Sequence, residues 1–146
     1  MRTLRQFMES KGFIRVPLKK LASGHYLFHG KINSIKGDFI LDTGASVSCI
    51  GLYESEHFNL VKEHSVLKGV GAGAGDMDTM ISKKNTFQLG SKSFKNMDFI
   101  LLDLHHINQA LMQMDGISVH GIIGADFLKT RRAVIDYGRN CFYFKA

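Results

Sequence analysis

Residues 39–46, with the sequence FILDTGAS, place an aspartate directly after three apolar residues. A short apolar run of strand-forming residues predicts a β-strand that is buried on both faces. Asp42 would then lie where a buried strand ends, and a charge there is costly unless neighbouring groups donate hydrogen bonds. Gly44 lets a backbone N–H approach the carboxylate, and the hydroxyls of Thr43 and Ser46 are further donors. The pattern predicts a carboxylate held in a loop of small residues; an Asp that merely caps a turn is the other interpretation.

A second apolar segment, residues 121–128 with the sequence GIIGADFL, follows about eighty residues further along the chain. Together the two segments resemble those of the retropepsin-like aspartic proteases. In that family a hydrophobic strand leads into Asp-Thr-Gly-Ala-Ser, and a hydrophobic-hydrophobic-Gly segment opens a short helix. The resemblance covers roughly residues 24–146, and it implies a retropepsin-like acid protease fold that carries half of an active site in each chain.

The spacing of short apolar segments and turns also predicts an all-β protein, mainly β with short helices, that forms a closed or partly closed β-barrel. We divide the chain into an N-terminal helix and strand extension, residues 1–20, and a retropepsin-like aspartic protease domain, residues 21–146. Thr3 and Gln6 predict a capping box for a helix over residues 3–10. A stripe at helical spacing predicts one longer helix with a core-facing side, formed by Ile107, Ala110, Leu111 and Met114.

Length and composition are those of one globular domain, with 146 residues, 45% hydrophobic residues and a net charge of +6. The basic residues are spread along the chain, and the densest group, Lys129, Arg131 and Arg132, has no interleaved aromatic residues, so we predict no nucleic-acid partner. No apolar window is long enough for an integral membrane segment, and the N-terminus lacks the apolar region of a signal peptide. The location stays open: cytoplasmic as the sequence stands, extracytoplasmic if a targeting segment precedes it.

The histidines and cysteines do not form a metal-binding pattern. There is no Cys-x-x-Cys or His-Glu-x-x-His, and the adjacent His105 and His106 would point apart on a helix. We therefore predict no metal and no cofactor. Cys49, on an expected core strand, and Cys141, on an expected closing hairpin, are predicted to be reduced and not catalytic.

The resemblance implies that Asp42 is the catalytic carboxylate. Aspartic proteases use two carboxylates that share one proton, but this chain contains a single Asp-Thr-Gly. Asp136 begins a second Asp-x-Gly, yet the bulky Tyr137 fills the place of a small residue, so we interpret Asp136 as structural. Two chains must then meet with Asp42 facing Asp42 in a two-fold homodimer. We expect the C-terminal strand, residues 141–145, at or near the interface.

The neighbours of Asp42 acquire supporting roles from the same resemblance. Thr43 would hydrogen-bond across the dimer axis, the Gly44 N–H would reach the carboxylate, and Ser46 would bond its outer oxygen. The segment GIIG would pack beneath the loop, although an ordinary core strand describes the same packing. The complete set of expected supporting residues is Thr43, Gly44, Ala45 and Ser46 in the loop, with Gly121, Ile122, Ile123 and Gly124 beneath it.

A glycine-rich stretch, residues 69–75 with the sequence GVGAGAG, invites a nucleotide-binding interpretation. It lacks the spacing of a P-loop and of a dinucleotide-binding fingerprint, so we reject that interpretation. By resemblance the stretch is the flap that covers substrate, and a flexible surface loop is the alternative. The expected flap and substrate-binding residues are Gly69, Val70, Gly71, Ala72 and Gly73.

The function predicted from these observations is an aspartic endopeptidase that hydrolyses peptide bonds through a water activated by an Asp42 pair. Its partners would be a second copy of the chain and a peptide or protein substrate. The alternative is a non-catalytic peptide-binding or dimerisation module that retains the fold. A serine hydrolase is disfavoured, because the segment after Asp42 misses the last glycine of a Gly-x-Ser-x-Gly elbow.

Overall fold

The computed structural model describes residues 1–64 and 79–146. Most of the regular structure in these ranges is β-strand, with short helices and two 3-10 turns at Leu52–Glu54 and Tyr137–Arg139. The helices and strands, in chain order, are α1 Leu4–Ser10, β1 Phe13–Pro17, β2 Lys19–Lys20, β3 Tyr26–Ile32, β4 Ile35–Leu41, β5 Cys49–Gly51, β6 Glu63–His64, β7 Met80–Leu89, β8 Lys92–Leu102, α2 His105–Asp115, β9 Gly121–Ile123, α3 Ala125–Thr130, β10 Val134–Asp136 and β11 Cys141–Lys145.

The larger sheet closes on itself as a barrel. Its strands follow the order β2-β3-β4-β9-β5-β8-β7-β6, and an additional pairing between β3 and β7 joins the two sides. The ring β3-β4-β9-β5-β8-β7 is therefore complete. The all-β prediction and the retropepsin-like barrel are confirmed, and the barrel is closed.

Aromatic residues fill the interior of the barrel. Because side chains alternate between the two faces of a β-strand, residues that pair directly across two strands point to the same side. Phe28 and Phe39 pair in this way across β3 and β4, and both point into the inner core. Their rings lie 5.8 Å apart in a tilted arrangement. The phenylalanines of this inner core are Phe28, Phe39, Phe58, Phe87, Phe94, Phe99, Phe127, Phe142 and Phe144.

A smaller sheet has the order β1-β11-β10 and packs one face on the inner core. α1 covers part of its other face, over Cys141 and Tyr143. The predicted capping box begins α1: Gln6 N donates to Thr3 Oγ1 at 3.1 Å, and Thr3 N donates to Gln6 Oε1 at 2.9 Å. Because β11 pairs with β1 on one edge and with β10 on the other, β10 and β1 are the edge strands.

The predicted longer helix forms as α2 and ends at Gly116, which adopts a left-handed conformation with φ of 68°. It packs Leu111 into an outer cluster that includes Ile40 and Ile122. Ala110 and Met114, however, are exposed, Met114 to 58%, so the prediction that these two residues face the core is wrong. Met114 lies in the last turn of the helix, directly before the chain turns away. No helix in the described ranges has the length and apolarity needed to cross a bilayer.

Candidate active site

The carboxylate of Asp42 is held at the end of β4 by backbone hydrogen bonds. Asp42 N donates to the carbonyl oxygen of Ile123 in β9 at 3.0 Å, which fixes the point where the chain leaves the sheet. Ala45 N then donates back to Asp42 O at 3.2 Å and closes a tight turn. Within that turn, Gly44 N donates to Asp42 Oδ1 at 2.9 Å. Asp42 itself is half-buried, so one side of the carboxylate faces solvent.

The close contact between this loop and the end of β9 requires glycine. Ala125 N donates to Ala45 O at 2.7 Å, which draws the loop against the start of α3. A Cβ atom on Gly124 would lie only 2.5 Å from Ala45 O, and one on Gly121 would lie 2.7 Å from Cys49 O. Any side chain at either position would push the loop or β5 away from β9.

Ile122 and Ile123 lie between the strands that carry the loop. β9 runs parallel to β4, with Ile122 opposite Ile40, and antiparallel to β5, with Ile122 opposite Cys49. Ile123 is 0% exposed in the inner core, whereas Ile122 points into the outer cluster. The two isoleucines therefore anchor the Asp42 loop to both faces of the barrel wall.

Thr43 and Ser46 are exposed on the surface of the loop. Within the described ranges, neither side chain forms a hydrogen bond to Asp42, whose Oδ1 accepts from Gly44 N instead. Thr43 borders an apolar pocket of about 250 Å³ that extends to α3 and β10, and whose other lining residues are Ala125, Leu128, Lys129, Arg132, Ala133 and Ile135.

Both the sequence and the fold of this chain match those of known proteins. The family model described as aspartyl protease matches residues 28–127, which is more than half of the chain. The chain belongs to the aspartyl protease family. The resemblance seen in residues 39–46 and 121–128 is confirmed at the level of family and fold. A search of curated proteins found no match.

Solved structures of retropepsin-like proteases share the fold of this aspartyl protease family member. The retropepsin-like aspartic protease from Rickettsia conorii has a TM-score of 0.62 and 17% identity, over 91% of this chain and 89% of that one. The retroviral protease-like domain of Ddi1 from Leishmania major has a TM-score of 0.53 and 20% identity, over 80% and 84%. The EIAV protease, in complex with the inhibitor HBY-793, has a TM-score of 0.50 and 22% identity, over 75% and 90%.

Two polar residues near the active-site loop of this aspartyl protease family member, Ser48 and Asp126, were not identified from the sequence. Ser48 is 1% exposed, and its Oγ donates to Asp126 Oδ1 at 2.7 Å. Asp126 lies within the segment GIIGADFL, where we assigned it no role. The sequence shows Asp126 as an acidic residue in the first turn of a helix, two residues after Gly124. Its hydrogen-bond partner Ser48 lies 78 residues earlier, so no local pattern could have identified the pair.

The residues expected to form the flap, Gly69, Val70, Gly71, Ala72 and Gly73, lie outside the described residues. Their role stays a prediction. No group of three or more potential metal ligands among His, Cys, Asp and Glu occurs in residues 1–64 and 79–146.

The thiol of Cys49 lies close behind the active-site loop. It is 5% exposed, and burial, with smaller contributions from the negative charges of Asp42 and Asp126, raises the pKa of the Cys49 thiol to about 11. The nucleophilic form of cysteine is the thiolate. Burial and the raised pKa both disfavour the thiolate, so we expect Cys49 to react slowly in the folded protein.

We therefore expect a thiol-specific reagent at pH 8 to leave both cysteines of the folded protein unmodified over minutes. Cys49 is protected by burial and its raised pKa, and Cys141 by its position at 0% exposure beneath α1. The same reagent should modify both thiols after denaturation in guanidinium chloride, which serves as the control. Rapid modification of Cys49 in the folded protein would contradict this prediction.

Proposed function

We propose that this protein is an aspartic endopeptidase that hydrolyses peptide bonds through a water molecule activated by Asp42 from each of two copies. The observation that carries the proposal is the Asp42 loop: a half-buried carboxylate fixed to β9 and α3 by backbone hydrogen bonds, with one side open to solvent. Catalytic carboxylates need this combination, because the reacting group must be held rigidly and still reach the substrate.

The chemistry uses one ionised and one protonated carboxylate. Two such groups roughly 3 Å apart cannot both ionise, so they share a proton. The ionised carboxylate takes a proton from water as the water oxygen attacks the scissile carbonyl carbon. The protonated carboxylate donates a hydrogen bond to the carbonyl oxygen and stabilises its developing negative charge. Proton transfer to the leaving amine then completes the cleavage of the C–N bond.

We propose that a second copy supplies the second carboxylate, because Asp126 and Asp136 accept hydrogen bonds from groups of their own chain. Asp126 accepts hydrogen bonds from Ser48 and from Phe127 N. Asp136 accepts from Arg139 N at 3.2 Å in the turn between β10 and β11, in keeping with the structural role we gave it. A two-fold homodimer supplies the missing group without any further residue, since each chain contributes the same loop.

We propose that the two copies meet along β10. The expected interface strand, β11, has both edges paired and cannot be extended by a partner. Within residues 1–64 and 79–146 no strand pairs with the outer edge of β10, and Ala133 and Ile135 border the same pocket as Thr43. Antiparallel pairing of β10 with its copy would bring the two Thr43 side chains, and with them the two Asp42 loops, towards the symmetry axis.

The proposed substrate is an extended peptide bound between the loop and the flap. An extended peptide presents a backbone N–H and C=O at each residue, which pair with protein backbone as an added strand would. The flap role of residues 69–73 is part of this proposal. The dimer would then hold one substrate across two equivalent half-sites.

The test is cleavage of a mixed peptide library by the purified protein between pH 3 and 8, with products identified by mass spectrometry. We expect a bell-shaped dependence on pH that is centred on the acid side of neutral, because the pair must hold one proton. Cleavage should persist with metal chelators and with serine or thiol reagents, and should be blocked by a statine-type transition-state mimic. Absence of cleavage in all conditions, by a folded dimer that binds peptides, would favour the non-catalytic binding module instead.

A further inference from the structure

Asp126 makes contacts that exceed those of an ordinary residue in the first turn of a helix. Its Oδ2 accepts from Ser48 N at 2.9 Å, and its Oδ1 accepts from Ser48 Oγ at 2.7 Å and from Phe127 N at 2.8 Å. Asp126 itself is exposed, but Ser48 is buried, so the carboxylate satisfies two donors that water does not reach. Hydrogen bonds to an ionised acceptor are the stronger kind.

Ser48 connects Asp126 to the backbone that supports the Asp42 loop. Its Oγ donates to Asp126 and accepts from Gly124 N at 2.9 Å, so the hydroxyl joins both sides of the contact. The neighbouring Ala125 N holds Ala45 O at 2.7 Å. The segment from Asp42 to Ser48 is thus fixed at its start by Ile123, in its middle by Ala125 and at its end by Asp126.

We propose that Asp126 is a positioning residue for the catalytic loop, and that its carboxylate holds Asp42 in register with the second copy through Ser48 and Gly124. This inference rests on the proposed function for its effect on catalysis. Asp126 is not part of the reacting pair, since both of its oxygens are occupied by donors of its own chain. Rates of reaction are sensitive to the position of a catalytic group, and a displacement of about 1 Å can reduce them 100-fold.

The geometry also explains why a carboxylate is needed instead of an amide. The three groups that contact Asp126 are all donors, and they approach both oxygens. An asparagine side chain offers one acceptor oxygen and one NH₂ group. In either orientation its NH₂ would face a donor, so one of these hydrogen bonds would be lost while the shape of the side chain is kept.

The experiment compares Asp126→Asn with Asp103→Asn in peptide hydrolysis. Asp103 is a matched control, because it is exposed, precedes α2 and accepts from His105 N at 2.9 Å, outside the hydrogen-bond network of residues 42–48. Both variants lose one negative charge and one acceptor at the start of a helix. We expect kcat of Asp126→Asn to fall 10- to 100-fold with KM changed less than threefold, and Asp103→Asn to behave as the wild type.

A double-mutant cycle with Ser48→Ala tests the route of the effect. If Asp126 acts through the Ser48 hydroxyl, the double variant should lose little more activity than the more affected single variant. Fully multiplicative losses would assign Asp126 an effect independent of Ser48 and would overturn the proposed route. All assays are run well below the melting temperature of each variant, so that partial unfolding does not lower kcat.

Amide hydrogen exchange separates this inference from the proposed function. The positioning role predicts that amide hydrogen exchange at Gly124 and Ala125 is about tenfold faster in Asp126→Asn than in the wild type. Exchange in Asp103→Asn should match the wild type, and both results are expected whether or not the protein cleaves peptides. Unchanged exchange at both amides would overturn the positioning role. Faster exchange in a protein with no peptidase activity would support the positioning role of Asp126 and would reject only the endopeptidase proposal.

Discussion

Asp42→Asn is expected to reduce peptide hydrolysis by about 10⁴-fold or more while the protein stays folded. The amide cannot take a proton from water or share one with a second carboxylate, and general acid–base catalysis contributes about 10²–10⁴-fold for each such group. In a homodimer one substitution removes both members of the pair. The loop should survive, because an amide oxygen can still accept from Gly44 N and the remaining contacts of the loop are to backbone.

Stability and a matched control complete this prediction. The dimer should be as tight as the wild type or tighter, because two crowded acids have been replaced by neutral amides. Asp38→Asn is the control, since it removes a carboxylate from β4, the strand that leads into Asp42. Asp38 Oδ1 lies 2.6 Å from Nδ1 of the exposed His29. We expect the kcat of Asp38→Asn to stay within about threefold of the wild type. Substantial cleavage by a folded, protease-free preparation of Asp42→Asn would end the aspartic endopeptidase proposal.

The parts of the fold that the sequence predicts correctly are those encoded by neighbouring residues. The sequence indicates a hairpin around residues 33–37, and the structure contains it with a tighter turn, in which Asn33 and Ser34 have positive φ values of 51° and 69°. Thr3 and Gln6 cap α1 as their spacing indicates. The strand that leads into Asp42 forms for the same reason, because three successive apolar residues need burial on both sides of a sheet.

The parts that the sequence does not predict depend on contacts between distant residues. Pairing of Lys31 and Ile32 with Gln88 and Phe87 closes the barrel, and no local pattern marks it. Ser48 and Asp126 meet only because β9 lies between β4 and β5. Ala110 and Met114 illustrate the limit of periodicity: their spacing predicts buried residues, but burial depends on which side of the helix packs on the rest of the protein, and Leu111 is the member of this stripe that is fully buried.

The largest effect outside Asp42 is expected from Val134→Glu at the edge of β10. Val134 is an apolar side chain that is 40% exposed. It lies on β10, whose outer edge is unpaired in the described part of the chain and is close to the Thr43 pocket. In an antiparallel pairing of β10 with its copy that is centred on Val134 or on Ile135, the introduced carboxylate would face its own equivalent or the partner's Asp136. Both arrangements bring like charges together, which opposes association in either register.

We therefore expect Val134→Glu to weaken the dimer roughly 100-fold. Sedimentation over a wide concentration range measures the dissociation constant directly. Peptidase activity should be lost at low protein concentration and return as concentration rises, because each half-site is intact and only its pairing is impaired. Met112→Glu is the matched control, since it adds the same charge at an apolar side chain that is 53% exposed on α2, away from β10.

The concentration dependence distinguishes an assembly defect from damage to the fold. If Val134→Glu merely distorted β10, activity would stay low at every concentration and the melting temperature of the isolated chain would fall. If the two copies met elsewhere, the variant would associate as tightly as Met112→Glu, and the β10 interface would have to be abandoned. A chain that cleaves peptides as a strict monomer would go further and remove the need for a second Asp42, since the half-site described here would then be complete by itself.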